Sequence, residues 1–350
     1  MKRDIKSMQP CELEEYFEST GEQKYRAKQV FLFLHKGAKT FSDMKNLSAS
    51  LRERLDNEFY ISSLELIEKQ LSKDDVTAKY LWKLSDNETV ECVLMEYEHG
   101  TSLCISTQVG CKMGCLFCAS SIDGFKRNLS ASEMLDQILY TQIDLSSQNQ
   151  SGRRISNIVL MGIGEPLDNF ENVIKFIKII NDPGGINIGA RHITLSTCGI
   201  IESIDKLAGY DVQLTLAISL HAPDNNTRSY LMPAGNKDGI EALISAGKRY
   251  FNKTGRRITY EYAMIAGVND SPQQAAELSK IIKDTGSHLN LIVLSSVSES
   301  KLKPGSVKST DSFIGVLKKN RVNYTVRRSL GLDIEAACGQ LRRRKLHEMD

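Results

Sequence analysis

Four of the chain's eight cysteines fall within fifteen residues, in TSLCISTQVGCKMGCLFCAS. Three of them, Cys111, Cys115 and Cys118, are spaced C-x3-C-x2-C. Thiolates are soft ligands that suit zinc or an iron–sulfur cluster. A closed structural zinc site wants four ligands, whereas this tight set supplies three and no His follows at finger spacing. Three cysteines on a four-iron cluster would leave one iron open to a small ligand. The alternatives are a zinc site completed by Cys104 or a distant group, and buried inert thiols, against which the density argues. Cys338, in EAACGQL more than 200 residues downstream, reads in isolation as a small buried hydrophobe. Cys11, Cys92 and Cys198 read as packing residues.

Chemistry needs elements to hold it. From about residue 100, apolar strand candidates alternate with amphipathic helix candidates. The strands are SLCIST, ISNIVLMG, HITLST, VQLTLAISL, ITYEYAMI and LNLIVLS, with NYTVRR as a possible extra. SASEMLDQILYTQI, FENVIKFIKII, GIEALISAGKRYF and SPQQAAELSKIIKDTG are the helices between them. Such alternation predicts a parallel sheet covered by helices, here an α/β fold with a partial (β/α)6 barrel over residues 100–350. In a barrel, active sites gather at the C-terminal ends of the strands. The C-x3-C-x2-C loop follows the first strand, so it falls at that end. Upstream, residues 1–60 carry apolar residues at three- and four-residue spacing and predict a small helical accessory domain. Residues 61–99, with TAKYLWKL and TVECVLMEYE, predict a short strand extension.

Composition sets the class. The chain has 350 residues, is 41% hydrophobic and 25% charged, as soluble globular proteins are. No apolar run approaches the roughly 18 residues of a membrane span, and MKRDIKSMQP lacks the apolar stretch of a secretory signal. The expected location is cytoplasmic, where thiols stay reduced and metal binding or catalysis gains weight over disulfides. The net charge of +2 does not announce a nucleic-acid binder. Basic pairs and runs do recur, at Arg153-Arg154, Arg256-Arg257, Arg327-Arg328 and Arg342 to Lys345. Local positive surface is what phosphate contacts need; solvated loop ends are the plainer reading.

The motifs taken in order, the cysteine triplet, MGIGEPLDN, LSTCGI, AISLHAP and DIEAACGQL, resemble the RlmN/Cfr family of radical-SAM RNA adenine methyltransferases over nearly the whole chain. The resemblance implies a [4Fe-4S] cluster on Cys111, Cys115 and Cys118. It implies S-adenosyl-L-methionine (SAM) bound by Gly164, Glu165, Ser196, Ser219, Leu220 and His221. Ser295 stands where the family's SAM-contacting Asn is usual, Val293 where its Pro is, and Ile163 where Met is. Cys338 is implied as the methyl carrier and Cys104 as the thiol that resolves the RNA-linked intermediate through a disulfide. Glu91 is implied as the acceptor of the proton lost from the base, with Cys104 the alternative acceptor. The implied reaction is methylation of adenosine carbon-2 in 23S rRNA at the peptidyl transferase centre, and in tRNA beside the anticodon. A reductant such as flavodoxin or ferredoxin is implied, and a monomer is expected. The rivals are the Cfr-type carbon-8 activity, which typically has Ala where this chain has Pro166, and a non-catalytic metal-binding RNA-binding protein.

Overall fold

The computed structural model describes residues 2–98, 100–147, 153–210, 212–294, 301–327 and 330–334. Cys338 and Ser295, together with Arg328 and residues 342–345, lie outside the described residues.

The N-terminal segment runs β1 (Arg3–Asp4), α1 (Pro10–Ser19), α2 (Tyr25–His35), α3 (Ala49–Glu58) and β2 (Phe59–Tyr60), with β1 and β2 paired in parallel. Gln9 and Glu12 form a capping box at the start of α1, and Pro10 occupies the first turn, where a missing N–H costs nothing. Ser48 caps α3 by accepting from the Leu51 N–H.

Three antiparallel strands follow: β3 (Glu65–Leu71), β4 (Thr77–Lys83) and β5 (Thr89–Tyr97). They continue into β6 (Gly100–Cys104) as one meander, since Val93 of β5 pairs with Cys104. The strand extension therefore belongs to the barrel sheet. A separate hairpin, β7 (Gln108–Gly110) with β8 (Phe125–Asn128), carries the cysteine loop.

Then α4 (Ala131–Ser147), β9 (Ile155–Leu160), α5 (Phe170–Asn181), β10 (Ile193–Thr197), α6 (Ile201–Leu207), β11 (Thr215–Ser219), α7 (Asn225–Leu231) and α8 (Ile240–Thr254) alternate. The chain continues with β12 (Thr259–Met264), α9 (Pro272–Thr285), β13 (His288–Val293), α10 (Val307–Lys319) and β14 (Tyr324–Arg327). The ten-stranded sheet has the order β14-β13-β12-β11-β10-β9-β6-β5-β4-β3. From β6 to β14 every pairing is parallel. All six predicted barrel strands are present, and NYTVRR supplies a seventh parallel strand. The short helices α6 and α7 were not among the predicted elements. At α9, Ser271 and Gln274 form a capping box and Gly286 ends the helix at φ +61°, the left-handed terminus that glycine favours.

One apolar cluster runs from Leu13, Phe17 and Phe31 through Trp82 and Ile138 to Phe176, Leu216 and Tyr260. A buried ion pair joins the N-terminal segment to α4: Lys6 Nζ lies 2.6 Å from Asp136 Oδ1, and Ser62 Oγ donates to Asp136 Oδ2 at 2.7 Å.

Candidate functional site

The C-terminal ends of the parallel strands enclose a cavity of about 340 Å³, within the roughly 300–1,000 Å³ of small-ligand sites. Cys111, Cys115 and Cys118 line it, as do Gly164, Glu165, Ser196, Ser219 and His221. Cys104 lines it too.

The cysteine loop is held at its base by backbone geometry. Gly110 has φ +72°, and a Cβ there would lie 1.8 Å from the Gly124 carbonyl oxygen. Only glycine fits such an approach. Inside the loop the Cys118 N–H donates to the Cys115 carbonyl, and Ser121 Oγ donates to the carbonyls of both. Burial pushes the Cys111 thiol up to about 12, and Cys115 is raised by the same cause. Thiols in this state are inert until a metal takes the proton's place. Among the described residues no three thiol, imidazole or carboxylate groups converge tightly enough for a single ion. The three thiols all line the one cavity, and an iron–sulfur cluster offers a separate iron to each such ligand. The donor set and its setting fit that group.

The GEP turn is fixed by Gln108, whose role nothing in the motif list foretold. Its Oε1 accepts from the Glu165 N–H at 2.9 Å, while Nε2 donates to Asn128 and Asp168. Gly164 has φ +106°, and a Cβ there would sit 2.5 Å from Gln108 Cβ. Glu165 is buried, with Oε1 accepting from Leu167 N and Oε2 from Cys198 N at 2.7 Å. The side chains of Thr197 and Cys198 also hydrogen-bond to this carboxylate.

On the next strands, Ser196 Oγ donates to Glu261 Oε2 at 3.0 Å and lies 3.5 Å from Ser219 Oγ. Glu261 is a buried carboxylate facing the cavity from β12 that sequence reasoning missed. A carboxylate inside TYEYAM, flanked by buried aromatics, was the available signal, because such burial is costly unless the group is used. His221 adopts φ +54° and its Nδ1 accepts from Ala263 N at 2.9 Å. Burial, with Arg228 nearby, lowers its pKa to about 3, so the ring is neutral with its proton on Nε2. Leu220 is fully buried in the core and does not line the cavity. Its backbone N–H is taken up by the Glu261 carbonyl.

Cys198, read from sequence as packing, also lines the cavity, with its Sγ 3.4 Å from Met113 Sδ. Cys92 is a packing residue under Trp82 and Thr141, and Cys11 is exposed. Cys104 sits in a separate apolar cluster with Val93 and Met95, against which Leu330 packs. The chain beyond β14 thus enters the cavity wall eight residues before Cys338. Glu91 is buried on β5, 3.3 Å from Lys79 Nζ and two residues from Val93, but does not line the cavity.

The basic pairs divide. Arg153-Arg154 and Arg256-Arg257 precede β9 and β12, at the strand ends away from the cavity. There Arg153 pairs with Glu96, and Arg256 donates to Leu214 O and Thr215 Oγ1. Arg327, at the C-terminal end of β14, lines the cavity.

Comparison with known proteins agrees with this architecture. The radical SAM superfamily profile matches residues 105–279, and that of the ribosomal RNA large subunit methyltransferase N-terminal domain matches residues 3–61. A relative from Alkaliphilus oremlandii, "Probable dual-specificity RNA methyltransferase RlmN", is 50% identical over 99% of both chains. One of the same name from Clostridium acetobutylicum is 46% identical over 97% of both. The crystal structure of a radical SAM methyltransferase from Sphaerobacter thermophilus superposes with a TM-score of 0.90 at 38% identity, over 97% of this chain and 98% of that one. With its triplet loop at the strand ends and its N-terminal segment both matched, the chain belongs to the radical SAM superfamily and, within it, to the RlmN family of RNA methyltransferases.

Proposed function

We propose that the protein methylates carbon-2 of adenosine in 23S rRNA and in tRNA, using a [4Fe-4S] cluster held by Cys111, Cys115 and Cys118 and SAM bound beside it. The observation that carries this reading is the shared cavity, which three cluster thiols line together with Gly164, Glu165, Ser196, Ser219 and His221. When bound, the cluster and SAM supply an electron, a methyl group and the radical that activates that methyl for addition to the ring.

The chain's own residues do the rest. Glu165 and the His221 Nε2–H orient polar groups of SAM; the backbone at Gly164 approaches it closely. Ser196 and Ser219 offer hydroxyls, and Ser295 a hydroxyl on a shorter side chain than the amide of the family's usual Asn. The Cys338 thiolate accepts a methyl group and carries it to the adenine ring, which becomes joined to the protein through one carbon. Glu91, paired with Lys79, accepts the proton lost from carbon-2. The Cys104 thiolate then attacks the Cys338 sulfur: an S–S bond forms, the C–S bond breaks, and its electron pair passes to the carbon, which takes up a proton to become the methyl group. Leu330 packing against the Cys104 cluster supports this pairing, because it brings the root of the Cys338 segment to that wall.

Residues 1–60 form the accessory domain that grips folded RNA by shape and phosphate contacts. The protein works as a cytoplasmic monomer, beside its RNA substrates, and takes electrons from a flavodoxin or ferredoxin. Pro166, which lines the cavity, favours the carbon-2 branch over the carbon-8 one. Mass spectrometry of nucleosides from RNA treated with the reconstituted enzyme tests this: 2-methyladenosine is expected, and 8-methyladenosine in its place would reassign the branch.

A further inference from the structure

Arg228 is fully buried, although it belongs to a seven-residue helix at the barrel rim where a charge ordinarily meets solvent. Its guanidinium turns inward. Nη1 donates to the carbonyls of Ser219 (2.7 Å) and Leu220. Nη2 donates to those of Cys198 (2.6 Å) and Gly235 (3.1 Å). Nε has no hydrogen-bond partner. All these acceptors are neutral. Among the described residues, none of its hydrogen-bond partners is a carboxylate.

A buried cation without a counter-charge is expensive, so a fold that keeps one has an anion in store for it. The surroundings say which. The cysteine loop is tied to α7 by the Leu116 N–H, which donates to the Leu231 carbonyl at 3.0 Å. Met232, 3.7 Å from Arg228 Nη1, packs in one apolar cluster with Cys111, Met113 and Cys198. Arg228 therefore stands behind the loop that presents the three thiols. Three thiolates around a four-iron core make a net anion, and reduction adds one more negative charge to it.

We infer that Arg228 is the built-in counter-cation of the cluster, a positioning residue whose buried charge stabilises the reduced state and raises the reduction potential. The inference rests on the reading that Cys111, Cys115 and Cys118 hold the cluster. The low dielectric behind the loop makes a single charge count there, and the four carbonyl contacts keep it from moving away when the electron arrives.

The test is an anaerobic redox titration of the reconstituted full-length protein, followed by the electron paramagnetic resonance signal of the reduced cluster. Wild type is compared with Arg228→Lys, which keeps the charge, and Arg228→Gln, which keeps hydrogen bonding without it. Iron and sulfide content is measured first: a wild type that takes up no cluster overturns the cluster reading and this inference with it. Given a loaded wild type, Arg228→Gln is expected to lower the one-electron reduction constant at least tenfold, about 59 mV, while Arg228→Lys stays within about threefold. A glutamine variant that stays folded but takes up no cluster, when the lysine variant does, also supports the role. Equal potentials in wild type and Arg228→Gln, equal shifts in both variants, or unfolding of both cluster-free variants would show a structural tie and overturn it.

Discussion

Cys104 and Cys111 are seven residues apart in sequence, yet they face different surroundings. Cys111 shares its cluster with Met113, Cys198 and Met232, whereas Cys104 packs with Val93 and Met95 near Leu330. Their substitutions should therefore fail differently. Cys115→Ala removes one of three ligands and should abolish iron binding and SAM cleavage together, read by iron content and by release of 5′-deoxyadenosine. Full iron and wild-type cleavage would exclude Cys115 as a ligand. Cys104→Ala should keep its iron and accumulate a protein–RNA adduct through Cys338, visible on a denaturing gel as a band that survives boiling. Turnover at the wild-type rate without adduct would assign the resolving step elsewhere. The triplet was legible because ligand spacing is local. Glu261, Gln108 and Arg228 were not, because each takes its meaning from partners far away in sequence: Asn290 and Ser196 for Glu261, Glu165 for Gln108, Cys198 for Arg228. A charge on a short rim helix looks solvated until the fold is known.

At the scale of elements, the barrel strands could be read from runs such as ISNIVL and TLAIS, because strands covered on both faces are nearly continuous in apolar residues. The hairpin β7–β8 could not. QVG and FKRN are too short and too polar to show a period, and their pairing depends on Gly110 and Gly124 closing face to face. Gly110→Ala should thus act on the element rather than on a ligand. The left-handed backbone alone costs about 1–3 kcal/mol with a side chain, and the added Cβ collides with the Gly124 carbonyl. The variant should fold, by circular dichroism, but hold much less iron than wild type; normal iron loading would mean that the hairpin does not position the loop. The tail after β14 has an anchor of its own. Asp333 accepts from Ser72 Oγ and Lys73 N, both at 2.7 Å, and Gly331 N donates to Asp75. This β3–β4 turn holds the root of the segment that bears Cys338. Asp333→Ala should slow labelling of Cys338 from methyl-labelled SAM with iron content unchanged; labelling at the wild-type rate would show that the anchor does not guide the carrier.

The N-terminal segment meets the barrel through polar groups buried in an apolar seam, and that makes its attachment sensitive to acid. Lys6 and Asp136 pair inside it, Lys175 reaches Glu12 at 2.9 Å, and His35 Nδ1 accepts from Ile186 N at 3.2 Å. His35 stacks near Phe31, with ring centroids 4.1 Å apart, and its Nε2 is buried without a partner. Burial, aided by the Lys6 charge, lowers its pKa from 6.5 to about 4. A histidine held neutral in the folded state contributes its stability in full above 6.5, and loses it as pH falls toward the folded value. The unfolded chain binds the proton first, so each unit of pH in that window costs about 1.4 kcal/mol. His221, lowered to about 3, adds a second slope of the same sign. Asp136, pushed up to about 6 by burial, works the other way. His35→Asn separates these contributions, because an amide oxygen can still accept from Ile186 N but does not titrate. Wild type and variant should differ in the slope of unfolding free energy against pH, measured by urea denaturation of the cluster-free proteins. Between pH 6.5 and 5 the wild type should lose about 2 kcal/mol more than the variant, since His221 and Asp136 contribute alike to both and cancel. Parallel slopes would mean that His35 titrates alike in the folded and unfolded chain, and that the seam between segment and barrel is open to water.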